Sequence, residues 1–404
     1  MHTLLALITL MGCADATVEI EALSGQAPLG YAEIHGVAAG EFNVDYWESG
    51  NLHFLSDHRM PLIESRLEGV YRNIYAPSAV RLEDAWHVYY GAWDGVHTGN
   101  DRIYRLETEG FLDFKNRRTI IEHGDFIHVC NVNVSPREDG GFDMMCTTYP
   151  DSNGMNKPAF FSSPGDETWN GTTAPYPARQ KDIVEIAGYP DYAGADINGM
   201  NVLLREGDQI RLYHGDFNNR GHVFRATSTD GKHFTSEGSV LEAPQYVNDV
   251  KVFENGGEKT YLMALHQNGD TLWYSLSESG TAFDAPKVLG KNESAADRYI
   301  VAIGWVRDGR RLLGYLYGAG PVSTLNRNRL FARWLQKRLV FKAEQGDRIE
   351  ASHALGPDRQ LLPVPDEQPL KGKFEVYAED GVTQLGVSDP VELRSGGVLR
   401  LNLR

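Results

Sequence analysis

Positive charge is the minority in this chain: 39 Lys and Arg stand against 55 Asp and Glu, a net charge of -16 over 404 residues. Nucleic acid and anionic membrane surfaces are bound through Lys and Arg, so neither is an expected partner; neutral or cationic ligands fit better. Cysteine is scarce, with 3 in all. Cys130 and Cys146 flank a predicted hairpin turning near Glu138-Asp139-Gly140, in registers close enough to leave a disulfide open. Without a Cys-x-x-Cys pair they give no zinc site. A Gly-x-x-x-x-Gly-Lys-Ser/Thr loop, a dinucleotide fingerprint after a strand and a His-Glu-x-x-His pair are all absent, which sets nucleotide and zincin chemistry aside. No apolar run reaches the length of a membrane span.

The one apolar opening, "MHTLLALITLMGC", runs from Leu4 to Met11 and has the length of a signal-peptide core. "LMGC" resembles a bacterial lipobox, in which Cys13 becomes the lipidated first residue, although "MHT" lacks the usual Lys or Arg. A plain cleaved signal and a buried apolar segment are the alternatives. The expectation is export, either as a periplasmic or cell-surface lipoprotein touching the membrane only through its anchor, or as a secreted protein.

What the chain has is glycine (42), proline (18), 41% apolar and 10% aromatic residues, the composition of a folded, turn-rich protein. The stretch "ATSTDGKHF", Ala226 to Phe234, is echoed by "RLETEGFLDF" from Arg105, "FFSSPGDETW" from Phe160 and "SLSESGTAFD" from Ser275. Their glycines lie roughly 50 to 65 residues apart, near the spacing of propeller blades. Upstream of each echo stands a β-branched run, a polar turn and a second apolar run: "APSAVRLEDAWHVYYGAW", "NVNVSPREDGGFDMMCTTY", "NVLLREGDQIRLYHGDF" and "DVKVFENGGEKTYLMALH". These read as hairpins by alternation and turn chemistry. A fifth, "YIVAIGWVRDGRRLLGYLY", keeps the hairpin and lacks the echo. The fold class expected is therefore all-β, a five-bladed β-propeller, with a large β-sandwich or a sialidase-type repeat as alternatives. The boundaries expected are 1–13 for the leader, 14–60 for an N-terminal segment, 61–334 for the propeller and 335–404 for a small C-terminal β-sandwich-like layer, entered through "LLPVPDEQP".

The hairpins beginning "YAPSAV", strands such as "HVFRATSTDGKHF", and the trailing "FEVYAEDGVTQLGVSDPVEL" together resemble the five-bladed propeller glycoside hydrolases, among them families 32, 43, 62, 68, 117 and 130. The resemblance covers roughly Ile74 to the C-terminus. It implies a glycan pocket in a central funnel, lined by residues near the start of each innermost strand. It also implies two carboxyl groups, an acid and a base or nucleophile, about 5 to 9.5 Å apart, acting on a poly- or oligosaccharide, with furanosides such as arabinan or fructan first. No cofactor is implied, though "DSNG" at Asp151 and "DFNN" at Asp216 offer oxygen ligands for a channel calcium ion, or simply Asx turns.

The departures lie at the carboxylates. Where family 43 carries Asp before Pro-Ser this chain has Ala76, and where a Glu precedes Gly-Pro it has Asn198 before Gly199; the matching positions elsewhere are Asn131, Asn248 and Val301. The acids nearby are Asp196, placed by strand alternation on the face of Asn198, and the rim residues Asp94 and Asp216, at the ends of second strands. Asp196 paired with Asp94 or Asp216 is the expected catalytic set, with Asp249 orienting or tuning it. His214 and His266 are candidate proton donors or sugar contacts, Asn131, Asn133, Asn198, Asn201 and Asn248 a carboxamide floor for sugar hydroxyls, and Trp93, Tyr149 and Tyr299 apolar platforms. Each also has a bland reading: solvated turn acids, satisfied histidines, amides pairing with backbone, and aromatics packed between blades. The rival function is a non-catalytic glycan-binding propeller that kept the funnel and lost its acids.

Overall fold

A computed structural model describes residues 17–64, 73–93, 100–150, 154–323, 327–365 and 368–404. Each β-branched run forms the innermost strand of a radial antiparallel sheet, and its apolar partner, after a tight polar turn, forms the second strand. The innermost strands are Asn73–Leu82, His128–Pro136, Val202–Glu206, Tyr246–Asn255 and Tyr299–Asp308, in blades 1 to 5. Each touches the next, and the fifth touches the first, so the ring closes. The molecule is a five-bladed β-propeller, 57% strand and 2% helix.

The echoed motif makes the turn between the third and fourth strands. Ser228 Oγ accepts from the N–H groups of Asp230 (3.1 Å) and Gly231 (3.0 Å), and Ser163 and Ser277 hold the equivalent N–H groups in blades 2 and 4. Gly231 adopts φ +78°, and a Cβ there would lie 2.4 Å from the Phe160 ring of blade 2. Glycine thus allows both the left-handed turn and its wedging against the preceding blade. Phe234 is buried in the same cluster as Phe160.

Two features are not marked by the echoed motif. Blade 5 does have a third strand, Arg329–Leu335, and its fourth is Phe54–Ser56 from the N-terminal segment, which fastens the first and last parts of the propeller together. Blade 2 instead lacks a long fourth strand; Thr168–Trp169 and Thr172–Thr173 make only a two-residue hairpin. The accessory layer is a sandwich of two sheets, and it too draws on the N-terminal segment. Val18–Ala22 and Tyr31–His35 flank Val398–Leu403 in one sheet, facing Arg338–Ala343 and Leu370–Tyr377 in the other. Ile34, Phe341, Leu362, Phe374 and Leu401 fill the space between.

Candidate functional site

First strands start, second strands end and third strands start at the same rim of an antiparallel blade, so three sets of residues face the funnel. The innermost strands carry bulges near their starts: register slips between Tyr75 and Ser78, Cys130 and Asn133, Val247 and Asp249, and Ile300 and Ala302. Ala76, Asn131, Asn248 and Val301, the positions matched in sequence, are among the residues these slips leave unpaired, with Pro77 and Val132. A bulge re-aims a side chain, and Ala76 (φ +52°) and Asn131 (φ +54°) are held in left-handed backbone to do so. Around the bulges Tyr75, Cys130, Val202, Val247, Val250 and Ala302 belong to one buried cluster contributed by all five innermost strands.

The amides expected to form a sugar floor mostly do something else. Asn133 is buried, its Oδ1 accepting from Leu203 N (3.0 Å) in blade 3 and its Nδ2 donating to Asp249 (3.1 Å) in blade 4. Asn248 Oδ1 accepts from Ile303 N (2.8 Å) and Asp249 Oδ2 from Trp305 N (2.9 Å), both in blade 5. Lys251 Nζ also donates to Asp249 (2.8 Å). Asn201 is buried with its Nδ2 on Thr147 Oγ1 (2.8 Å). Neighbouring innermost strands share no ladder, so their facing N–H groups need partners, and these side chains supply them.

The two histidines are also interior. His214 is buried with Nδ1 against the Gly215 carbonyl (3.1 Å), and His266 contacts Asn248 Nδ2 (2.6 Å) and Asn268 Oδ1 (3.0 Å). Burial lowers the pKa of each to about 4. Both imidazoles are neutral at neutral pH.

Asp196 and Asp216 are brought together, but not as two open carboxylates. The stretch before Val202 is loop and not strand, so alternation does not apply there. Asp216 is buried and accepts from Tyr189 OH (2.8 Å), Asp196 N (3.1 Å) and Asn218 N (2.8 Å), which makes it the anchor of this loop and of its own Asx turn. Asp196 is half-buried, its Oδ1 accepting from Asn156 Nδ2 (2.7 Å), and it keeps the access that Asp216 has lost. Asp94, Asp151 and Cys13 lie outside the described residues. Among the described residues, no three His, Cys, Asp or Glu side chains are gathered as a metal site.

Tyr149 ends the second strand of blade 2 and is the centre of the polar wall. Its hydroxyl donates to Asn198 Oδ1, and His128 meets its ring edge-on at 5.6 Å. Cys130 and Cys146 are both free and buried. Burial, then Cys130, Asp101 and Asp196, raise the Tyr149 pKa well above that of a free phenol. Asp101, which the sequence reading passed over, starts blade 1's third strand region; its Oδ2 lies 3.1 Å from His128 Nδ1 and its Oδ1 is buried with no hydrogen-bond partner. Extending the rim argument to third-strand starts would have found it. A second omission is an aromatic shelf: Phe217 and Tyr246, both partly exposed, stack at 4.6 Å with planes 3° apart. Trp93 is buried in the central cluster, whereas Tyr299 and Arg298 line a cavity of about 500 Å³ with Asp270 and Ser323. A larger cavity, about 630 Å³, lies apart from these residues, beside Glu48, Glu258 and Glu278.

The fold is similar to that of solved propeller-type glycoside hydrolases. The chain is similar to a structure from work on glycoside hydrolases of the family 130 mannoside phosphorylases that target β-1,2-mannosidic linkages in Candida mannan. The TM-score is 0.52 at 11% identity, covering 70% of this chain and 93% of that one. It is likewise similar to the catalytic domain of the family 62 α-L-arabinofuranosidase of Coprinopsis cinerea (0.51, 15%, 71% and 98%) and to the α-L-arabinofuranosidase of Podospora anserina (0.51, 11%, 70% and 97%). No family model and no curated protein matches the sequence. At these identities the likeness is one of fold.

Proposed function

We propose that the protein is a glycoside hydrolase acting on a poly- or oligosaccharide in the funnel, with Asp196 and Asp101 as its carboxyl pair. The observation that carries this reading is that the two acids flank one residue, Tyr149: Asp101 holds His128, whose ring meets Tyr149 at 5.6 Å, and Asp196 stands two residues before Asn198, which accepts from the Tyr149 hydroxyl. Asp101, with His128 at its Oδ2, is enclosed and fixed; Asp196 is more open. Two carboxyl groups in unlike environments are what acid and base roles require. Asp94 remains an alternative partner for Asp196. Asn131, Asn198 and Tyr299 are the contacts proposed for sugar, with furanosides first because two of the similar structures are arabinofuranosidases. Export, with a lipid at Cys13, belongs to the same reading.

A second reading, a non-catalytic glycan binder, is favoured by Ala76 and Asn198 standing where the resemblance puts acids. Incubation of the purified protein with plant, microbial and algal glycans separates the two. Sugar release that is lost in Asp196→Asn and in Asp101→Asn or Asp94→Asn, with the variants folded, supports the hydrolase. A glycan that raises the melting temperature without being cleaved supports the binder, and no response to any glycan defeats both.

A further inference from the structure

The foot of the channel, on the face opposite the funnel, has its own chemistry. A cavity of about 310 Å³ there is lined by residues of all five innermost strands, including Val80, Val134, Leu204 and Val252, and by four cations: Arg81, Arg205, Lys251 and Arg307. Three of these arginines recur at one place in the blade. Arg81, Arg205 and Arg307 each stand just before the hairpin turn, in "VRLED", "LREGD" and "VRDG". The repetition brings like charges to one axis, which costs energy unless each finds a counter-charge.

Two of the four do. Arg205 bonds Asp143 (2.8 Å) and Lys251 bonds Asp249 (2.8 Å). Among the described residues Arg81 and Arg307 do not: Arg81 Nε donates to the backbone carbonyl of Glu83 (2.9 Å) and its guanidinium lies 5.6 Å from the Trp86 ring centre. Arg307 Nε reaches the Gly309 carbonyl (2.7 Å), and its guanidinium lies 5.1 Å from the Phe253 ring centre. Of the acids in the adjoining turns, Glu206 is engaged by Lys259 and Tyr261 and Asp308 by Arg311, while Glu83 and Asp84 are exposed and form no ion pair with Arg81. Burial alone acts on the Arg307 guanidinium, lowering its pKa, with no carboxylate to oppose it. In a chain of net charge -16, two guanidinium groups on one cavity with no carboxylate bound to them among the described residues are a specific arrangement.

We propose that this cavity binds a small multivalent oxyanion of the phosphate or sulfate kind, held between Arg81 and Arg307. The planar fork of arginine matches a tetrahedral oxyanion in paired hydrogen bonds. The apolar walls leave those bonds little competition from protein acceptors. The buried cluster of the innermost strands lies beside this cavity, and none of the residues proposed to act on a glycan lines it, so the proposal stands independently of the hydrolase reading. The competing account is that the arginine stems merely cover apolar surface while their heads stay in water.

Calorimetry and thermal melting with inorganic phosphate and with sulfate, at constant ionic strength set by chloride, distinguish the two. Saturable binding with a rise in melting temperature is expected, weakened about tenfold or more in Arg307→Met, which keeps the stem and removes the fork. Arg81→Met, at an exposed position, should weaken it too and serves if the first variant does not fold; Asp196→Asn should leave it unchanged. Glucose 6-phosphate binding more tightly than phosphate would assign the site to a phosphate ester, and the reverse to the free ion. No saturable response beyond that of chloride, or full binding retained by a folded Arg81→Met/Arg307→Met variant, overturns the proposal.

Discussion

Asn133 in blade 2 donates to Asp249 in blade 4 over 3.1 Å, spanning the position of blade 3. Blade 3 contributes the shortest innermost strand, Val202–Glu206, and Asn133 serves both it and blade 4, accepting from Leu203 N as well. Asp249 passes the connection on to Trp305 N in blade 5. Radial sheets share no backbone ladder at the axis, so this pair stitches four blades together.

Breaking it should be costly. Asp249→Ala leaves Lys251 and the Trp305 N–H without their buried acceptor, and a loss of about 3 to 5 kcal/mol is expected. Asn133→Ala, which removes a neutral amide, should cost about 1 to 3 kcal/mol. Denaturant unfolding measures both; a change within about 0.5 kcal/mol, the usual surface value, would show that the stitch does not hold the blades.

A second junction holds the sandwich to the propeller. Asp57, fully buried, accepts from Arg59 Nε (2.8 Å), Trp334 Nε1 (2.8 Å) and Gly356 N (2.9 Å), joining the N-terminal segment, blade 5 and the strand region leading into the sandwich. Asp57→Ala should destabilise by about 3 to 5 kcal/mol. Limited proteolysis should then cut near Phe54–Ser56 well before the other blades open. Wild-type resistance at that strand would count against the fastening role.

The histidines give a pH signature. An unfolded histidine takes up its proton near pH 6.5, whereas His214 and His266 in the folded chain do so only near pH 4. Between those values the unfolded state binds more protons than the native one. Their contribution is therefore complete above about pH 6.5 and falls away as the pH drops toward 4. The melting temperature should decline between pH 7 and 5, before most carboxylates titrate, and His214→Gln with His266→Gln should flatten that decline. A flat wild-type profile, or one the substitutions leave unchanged, would refute the assignment.

Much of this was legible in the sequence, for reasons that also explain what was not. The hairpins and Ser-capped turns are local, so alternation and Asp-Gly chemistry reveal them within ten residues. Phe54–Ser56 is three residues long and pairs with Arg333–Leu335; nothing local marks such a strand. The asparagines near the innermost strand starts were visible as an anomaly, but a carboxamide serves sugar hydroxyls and backbone N–H groups alike. Only the side on which Asn133 and Asn248 point decides between them. Asp196 and Asp216, twenty residues apart, read as partners in one carboxyl pair; only the loop geometry shows that Asp216 is taken up by three donors.

The Phe217–Tyr246 shelf offers the most direct test of where a glycan lies. Both rings are partly exposed at the funnel rim, parallel and in contact, and Tyr246 also packs on His266 at 6.0 Å. A sugar face stacking there would gain apolar contact without taking part in bond cleavage. Tyr246→Ala should therefore raise KM about tenfold or more, or weaken glycan binding equally if the protein is a binder, while kcat changes far less. Tyr246→Phe keeps the ring and should restore wild-type KM. If Tyr246→Ala lowers kcat and leaves KM alone, the ring positions Asp196 or its loop instead of the sugar; if neither constant moves, the glycan path avoids this side of the funnel.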